Sequence, residues 1–201
     1  GFALVIAQAN GADPTEIVFT ASGSEADNMA LRGAVARARG SRRAVVVSAV
    51  EHHAVLNTAK ALREEGVPVK LARVREDGRL DLEDLRQKID DTTLLVSVML
   101  ANNETGVLEP VAEAARLARE QGALVHCDAV QGGGKTALDV RALDVDLLAL
   151  SAHKLYGPKG VGCLYVRRGT PLAPLVRGGA QERNRRAGTE NVAAIAGFGA
   201  A

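Results

Sequence analysis

Tryptophan is absent from this 201-residue chain, and aromatic residues make up only 2% of it. The core must therefore be built from Ala, Val, Leu and Ile, and few side chains remain for stacking on nucleobases. Cysteine is almost as scarce. Cys127 and Cys163 are the only two; they form no CxxC pair and sit in apolar runs, which excludes a disulfide framework or a thiolate metal site. Buried free thiols in a reducing, cytoplasmic setting are expected. Long apolar runs are missing too, so no segment reads as a bilayer span, and the opening Gly1-Phe2-Ala3-Leu4-Val5-Ile6 lacks the basic start of a secretory signal. Excess charge is also lacking: 25 Lys and Arg against 24 Asp and Glu leave a net +1. Despite the cluster Arg183, Arg185 and Arg186, this is not the balance of a nucleic-acid-binding surface.

What is present is an ordinary globular composition, 47% hydrophobic and 24% charged, long enough for one domain with a sizeable core. Short β-branched runs alternate with longer helical patterns, the rhythm of an α/β fold. Residues 2–9 read as a helix closed by Asn10-Gly11. Strands are expected at Ile17–Thr20, Ala44–Ser48, around Val67–Val74, Leu94–Leu100, Leu124–Asp128, Leu147–Leu150 and Gly160–Val166, the last antiparallel at the edge of the sheet. Helices are expected from Ser24 to Arg39, Ala54 to Glu65, after an Asp81 cap through Ile89, and from Val111 to Gln121. Seven strands separated by helices predict a three-layer α/β/α domain with a mainly parallel seven-stranded sheet. Residues 1–201 read as that single large domain.

In such sheets ligands bind beyond the carboxyl ends of the strands, so the polar residues immediately after each strand are the informative ones. The first strand is followed by Ala21-Ser22-Gly23-Ser24-Glu25, small residues opening a helix, where free amides and the helix dipole suit a phosphate. Taken alone, this is equally a Ser24 cap with Asp27 as the capping carboxylate. Glu51-His52-His53 follows the second strand, Asn102-Asn103-Glu104-Thr105-Gly106 the fourth, and Asp128-Ala129-Val130-Gln131 the fifth. The sixth runs into Ser151-Ala152-His153-Lys154-Leu155-Tyr156-Gly157-Pro158-Lys159-Gly160, which fixes a primary amine at a strand end.

Collected at one sheet edge, these groups match the demands of pyridoxal 5'-phosphate. Its aldehyde needs an amine, Lys154; its ring nitrogen needs a carboxylate, Asp128, to stay protonated. His52 is the available flat partner for the ring face, and Asn103 and Gln131 suit its phenolic oxygen. The phosphate falls to Gly23, Ser24, Ser151 and His153.

The same motifs, in this order, resemble those of the NifS-like cysteine desulfurases, pyridoxal-phosphate enzymes of fold type I within the class-V aminotransferases. The resemblance runs through essentially the whole chain. It implies that Lys154 and His52 are catalytic, Lys154 through its bond to the cofactor and His52 by stacking and proton transfer. Asp128 becomes the partner of the ring nitrogen, and Asn103 and Gln131 the phenolate contacts. Gly178 to Thr189 is similar to the family segment whose threonine reaches the phosphate of the neighbouring subunit, so the resemblance implies a homodimer with Thr189 acting in trans.

Further expectations follow from the family pattern. L-cysteine is the implied substrate and an iron-sulfur scaffold or other sulfur-acceptor protein the implied partner; no nucleic acid, membrane or metal is expected. Ser24 replaces the usual Thr and keeps the hydroxyl, whereas Ser22 replaces a usual Gly and is expected to strain the turn. A segment ahead of Gly1 and a C-terminal small domain beyond Ala201 are expected, the latter carrying the sulfur-accepting cysteine and a substrate-binding arginine. This stretch by itself is therefore expected to bind cofactor and turn over poorly. Two alternatives stay open: a related lyase such as a selenocysteine lyase, and a non-catalytic scaffold that dimerises or binds a sulfur acceptor.

Overall fold

A computed structural model describes residues 2–201. Seven strands form one sheet: β1 (Ile17–Thr20), β2 (Ala44–Ser48), β3 (Val69–Ala72), β4 (Thr93–Ser97), β5 (Leu124–Asp128), β6 (Leu147–Ser151) and β7 (Gly162–Val166). Their order is β1-β7-β6-β5-β4-β2-β3. Pairing is parallel from β3 through β6, while β7 runs antiparallel to both β1 and β6. The mainly parallel expectation holds, with a correction to the position of β7. It lies inside the sheet, buried at all five positions, and β1 takes the edge. Strand β3, at the opposite edge, is half the expected length.

Alternate side chains from each strand feed two separate cores. On one face Val45, Val47, Leu95, Leu147, Ala149 and Leu164 pack against helices α2 (Gly23–Arg37) and α3 (His53–Glu64), through Ala26, Ala30, Val55 and Leu62 among others. On the other, Val46, Val96, Val125, Cys127, Leu148 and Cys163 meet Ile6 of α1 (Phe2–Ala9), Leu85 of α4 (Leu82–Lys88), Ala114 and Ala118 of α5 (Val111–Glu120). The same core includes Ile195 and Phe198 of α7 (Val192–Ala200), which follows the one-turn α6 (Gln181–Asn184). Strands covered on both faces are near-continuously apolar, which is why their runs are so plain in the sequence.

The connection from β2 goes outward to β3, and the chain then returns past β2 to β4. The crevice at that reversal opens at the carboxyl ends of the strands, where α/β folds place their ligands. No helix among the described residues is long and apolar enough to cross a membrane. None of their His, Cys, Asp and Glu side chains gather into a group that could hold a metal ion.

Candidate active site

A cavity of about 250 Å³ sits at the carboxyl ends of β4, β5 and β6, against the start of α2. It is lined by Gly23, Ser24, His52, Asn103, Asp128, Gln131, Ser151, His153 and Lys154, together with Ser22, Asp27, Met99 and Val130. Nine of the ten residues expected from sequence are brought together here. Thr189 is not: it lies exposed in a separate hollow beside Phe19, Glu182 and Arg186.

One end of the cavity is the start of α2. Ser22, not Ser24, is the cap: its Oγ accepts the amide of Glu25 at 3.1 Å and its carbonyl accepts that of Ala26. Ahead of these, the amides of Gly23 and Ser24 have no intrahelical acceptor. Ser22 has φ −170° and ψ 168°, an extended backbone open to any residue, so the strain expected from replacing glycine does not arise. The loop is held from outside. Glu25 accepts the Ala21 amide at 2.8 Å and is gripped by Arg186 through two contacts of 2.8 and 3.2 Å, a bridge across 161 residues that no local motif announces. The Ser151 hydroxyl and His153 Nδ1, 2.8 Å apart, complete this end. Amides, hydroxyls and an imidazole facing one space make an anion seat.

The opposite end is carboxylic. Asp128 closes β5, with Oδ1 accepting the Val130 amide at 2.9 Å. Burial pushes it up to about 7, negative charge on the nearby Asp27 would add to the rise, and the Val130 amide opposes it. Asp27, on the second turn of α2, is pushed up by burial to about 8. It is not the capping carboxylate read from the sequence, because its position on the helix turns it into the core, where it is 1% exposed. Glu51 accepts the Met99 amide; burial first, and then the charge of Asp128, hold it well above the ordinary carboxylate range. A cation entering this end would meet a carboxyl that ionises readily only with such a partner.

Between the ends lie the amine and the ring-shaped groups. Lys154 sits on the 3-10 turn Ala152–Leu155 directly after β6, half-buried, its amine free of hydrogen bonds and ion pairs among the described residues. His52 caps α3, its Nδ1 accepting the Ala54 amide at 3.1 Å. Asn103 faces the cavity because its neighbour Asn102 does the structural work, donating to the Val50 carbonyl and accepting the amides of Glu104 and Thr105. Gln131 Oε1 accepts from Lys135. An anion seat, a carboxylate and an amine in one cavity fit a group with a phosphate, a basic ring nitrogen and an aldehyde.

The two thiols take no part. Cys127 and Cys163 are free and fully buried, and burial raises both, Cys163 to about 12. A reactive thiolate needs the opposite environment. A disulfide reagent added to the native chain is accordingly expected to modify neither, and both only after denaturation; fast labelling of either in the folded state would contradict their burial.

Residues 4–201 match the family described as Aminotransferase class-V. The cysteine desulfurase IscS of Clostridium botulinum is 45% identical over 196 residues, which cover 98% of this chain and 49% of that protein. A solved NifS-like protein superimposes with a TM-score of 0.96 at 40% identity, over 99% of this chain and 55% of that one. The structure of SspA in complex with cysteine gives 0.94 at 36% identity, over 99% and 58% respectively. The chain thus spans about half the length of the curated relatives it matches.

Proposed function

The chain belongs to the class-V aminotransferase family, and from that premise we propose that it is the pyridoxal-phosphate-binding part of a cysteine desulfurase. The reaction takes sulfur from L-cysteine, leaving L-alanine and a persulfide on an enzyme cysteine outside this stretch. One observation carries the reading: Lys154 at the end of β6, Asp128 at the end of β5 and the start of α2 converge on a single cavity. The relatives named as cysteine desulfurases and the cysteine-bound structural neighbour support the choice of substrate.

When bound, pyridoxal phosphate supplies an electron sink for bond breaking next to the amino group of its substrate. The Gly23 and Ser24 amides, Ser151 and His153 seat the phosphate; Asp128 holds the proton of the ring nitrogen; Asn103 and Gln131 orient the ring through its phenolic oxygen. Lys154 would provide the amine that anchors the group, and His52 would be the flat partner available to its ring. With Nδ1 of His52 accepting the Ala54 amide, the imidazole carries its hydrogen on Nε2 and would offer it as a hydrogen bond toward substrate; acting as a proton donor would require the imidazolium, with the Ala54 contact released.

Beyond this site, the proposal extends to a cytoplasmic homodimer in which Thr189 contacts the phosphate in the neighbouring subunit, and to delivery of sulfur to an iron-sulfur scaffold or another acceptor protein. The core of the proposal is tested by adding pyridoxal phosphate to the purified chain, removing the excess, reducing with borohydride and locating the label by peptide mass. A label on Lys154 is expected. Label confined to exposed lysines such as Lys60 and Lys159 would overturn the assignment.

A further inference from the structure

Beneath the cavity floor lies a buried polar chain that the reading above does not use. His126 is two residues before Asp128 on β5, so both side chains leave the strand on the same face, toward α2. Its Nδ1 is 2.9 Å from the Ser97 hydroxyl of β4. Its Nε2 is 3.4 Å from Asp27 Oδ1 on α2. His126 is fully buried and Asp27 1% exposed, and among the described residues neither His126 Nε2 nor Asp27 Oδ1 has another partner. Two buried polar atoms left facing each other are costly unless a hydrogen lies between them.

Two arrangements supply that hydrogen. Either Asp27 is a carboxylic acid donating to Nε2, with His126 Nδ1–H donating to Ser97, or His126 carries hydrogen on Nε2 and faces an Asp27 anion while Ser97 donates to Nδ1. The groups packed around the pair are Asp128 on the same strand, Glu51 at the end of β2, and His52, His153 and Lys154 across the cavity. With Asp128 and Glu51 already close, a further buried anion at Asp27 is the costlier arrangement.

We propose that Asp27 is a positioning residue: it donates its carboxyl hydrogen to His126 Nε2, and the neutral pair so formed leaves Asp128 as the one carboxylate offered to a cationic ring. Burial drives both partners the same way, Asp27 up to about 8 and His126 down to about 4. Burial raises Asp128 as well, to about 7, and His126 and His52 beside it favour its charged form. The sign is that of a buried acid: Asp27 keeps its proton at neutral pH and gives it up only on the alkaline side. The pairing stands independently of any ligand, and its role toward a bound ring rests on the pyridoxal-phosphate reading.

The test begins on the ligand-free chain labelled with ¹⁵N, where long-range proton–nitrogen correlations report which ring nitrogen of His126 carries hydrogen near neutral pH. Nδ1–H is expected; Nε2–H or an imidazolium would overturn the pairing. In Asp27→Asn the side-chain amide replaces the acid as donor, so the carboxyl titration of Asp128 is expected to stay where it is. A downward shift would show that Asp27 had been an anion, and would also overturn it. Equilibrium dialysis with pyridoxal phosphate then reads the role. Asp27→Asn should match wild type, whereas Asp27→Leu, which leaves Nε2 without a partner, should weaken binding about tenfold, the ratio for one lost buried hydrogen bond. Equal loss in both variants would refute the positioning role, and failure of the wild type to bind would count against the cofactor reading while leaving the His126 result intact.

Discussion

Lys154→Ala is expected to abolish covalent attachment of pyridoxal phosphate while leaving the fold as stable as wild type. The two halves of that expectation have separate physical grounds. Lys154 projects from a one-turn 3-10 segment, half-buried and without a hydrogen bond or ion pair among the described residues, so truncation removes no structural contact and should shift stability by no more than about 0.5 kcal/mol. Attachment, in contrast, requires a primary amine at the aldehyde, and among the described residues Lys154 is the only lysine on the cavity wall. The anion seat and Asp128 survive the substitution, so the variant should still bind the cofactor reversibly and release it on dialysis. Visible absorption before and after dialysis, with borohydride trapping, separates the two outcomes. A reducible adduct that persists in the variant would move the site elsewhere.

The residues at the strand ends were legible from sequence because the parallel strands are covered on both faces. Their apolar runs end abruptly, and polar residues within a few positions of the ends of β1, β2, β4, β5 and β6 line the cavity. The place of β7 was not legible in the same way, since partner choice is a property of the sheet and not of one strand. A signal did exist: Gly162-Cys163-Leu164-Tyr165-Val166 is buried throughout, the mark of an interior strand, whereas β3 has a single buried position. At α2, two serines compete for the cap. Ser22 wins because only there is the backbone extended while its Oγ can reach the Glu25 amide. Asp27 could have been recognised from helical spacing, for Asp27, Leu31 and Ala34 share one buried stripe, and a carboxylate on such a stripe demands a partner. His126 as that partner, and Arg186 as the clamp on Glu25, are long-range contacts without a local signature.

The dependence of the anion seat on the sheet makes Gly162→Ala the most damaging small substitution expected outside the cavity. Gly162 opens β7, pairing with Thr20 of β1 and Ser151 of β6. A Cβ there would fall 2.6 Å from the Ser22 carbonyl carbon, 2.7 Å from the Leu150 oxygen and 2.9 Å from the Gly23 nitrogen. All three are backbone atoms, so no rotamer change relieves the clash. Either β7 withdraws from its neighbours or the Ser22-Gly23 turn moves, and in the second case the free amides of α2 lose their aim. Destabilisation of about 3 kcal/mol, the upper end for overpacking, is expected, read as a lowered urea midpoint, together with weakened retention of pyridoxal phosphate. Gly160→Ala is the control. It lies two residues away with φ +81° and no atom within 4 Å of its added carbon, so it bears only the backbone cost of about 1 kcal/mol and should keep the cofactor. If both variants unfolded at the same urea concentration, close backbone contact at Gly162 would not be what holds the anion seat in place.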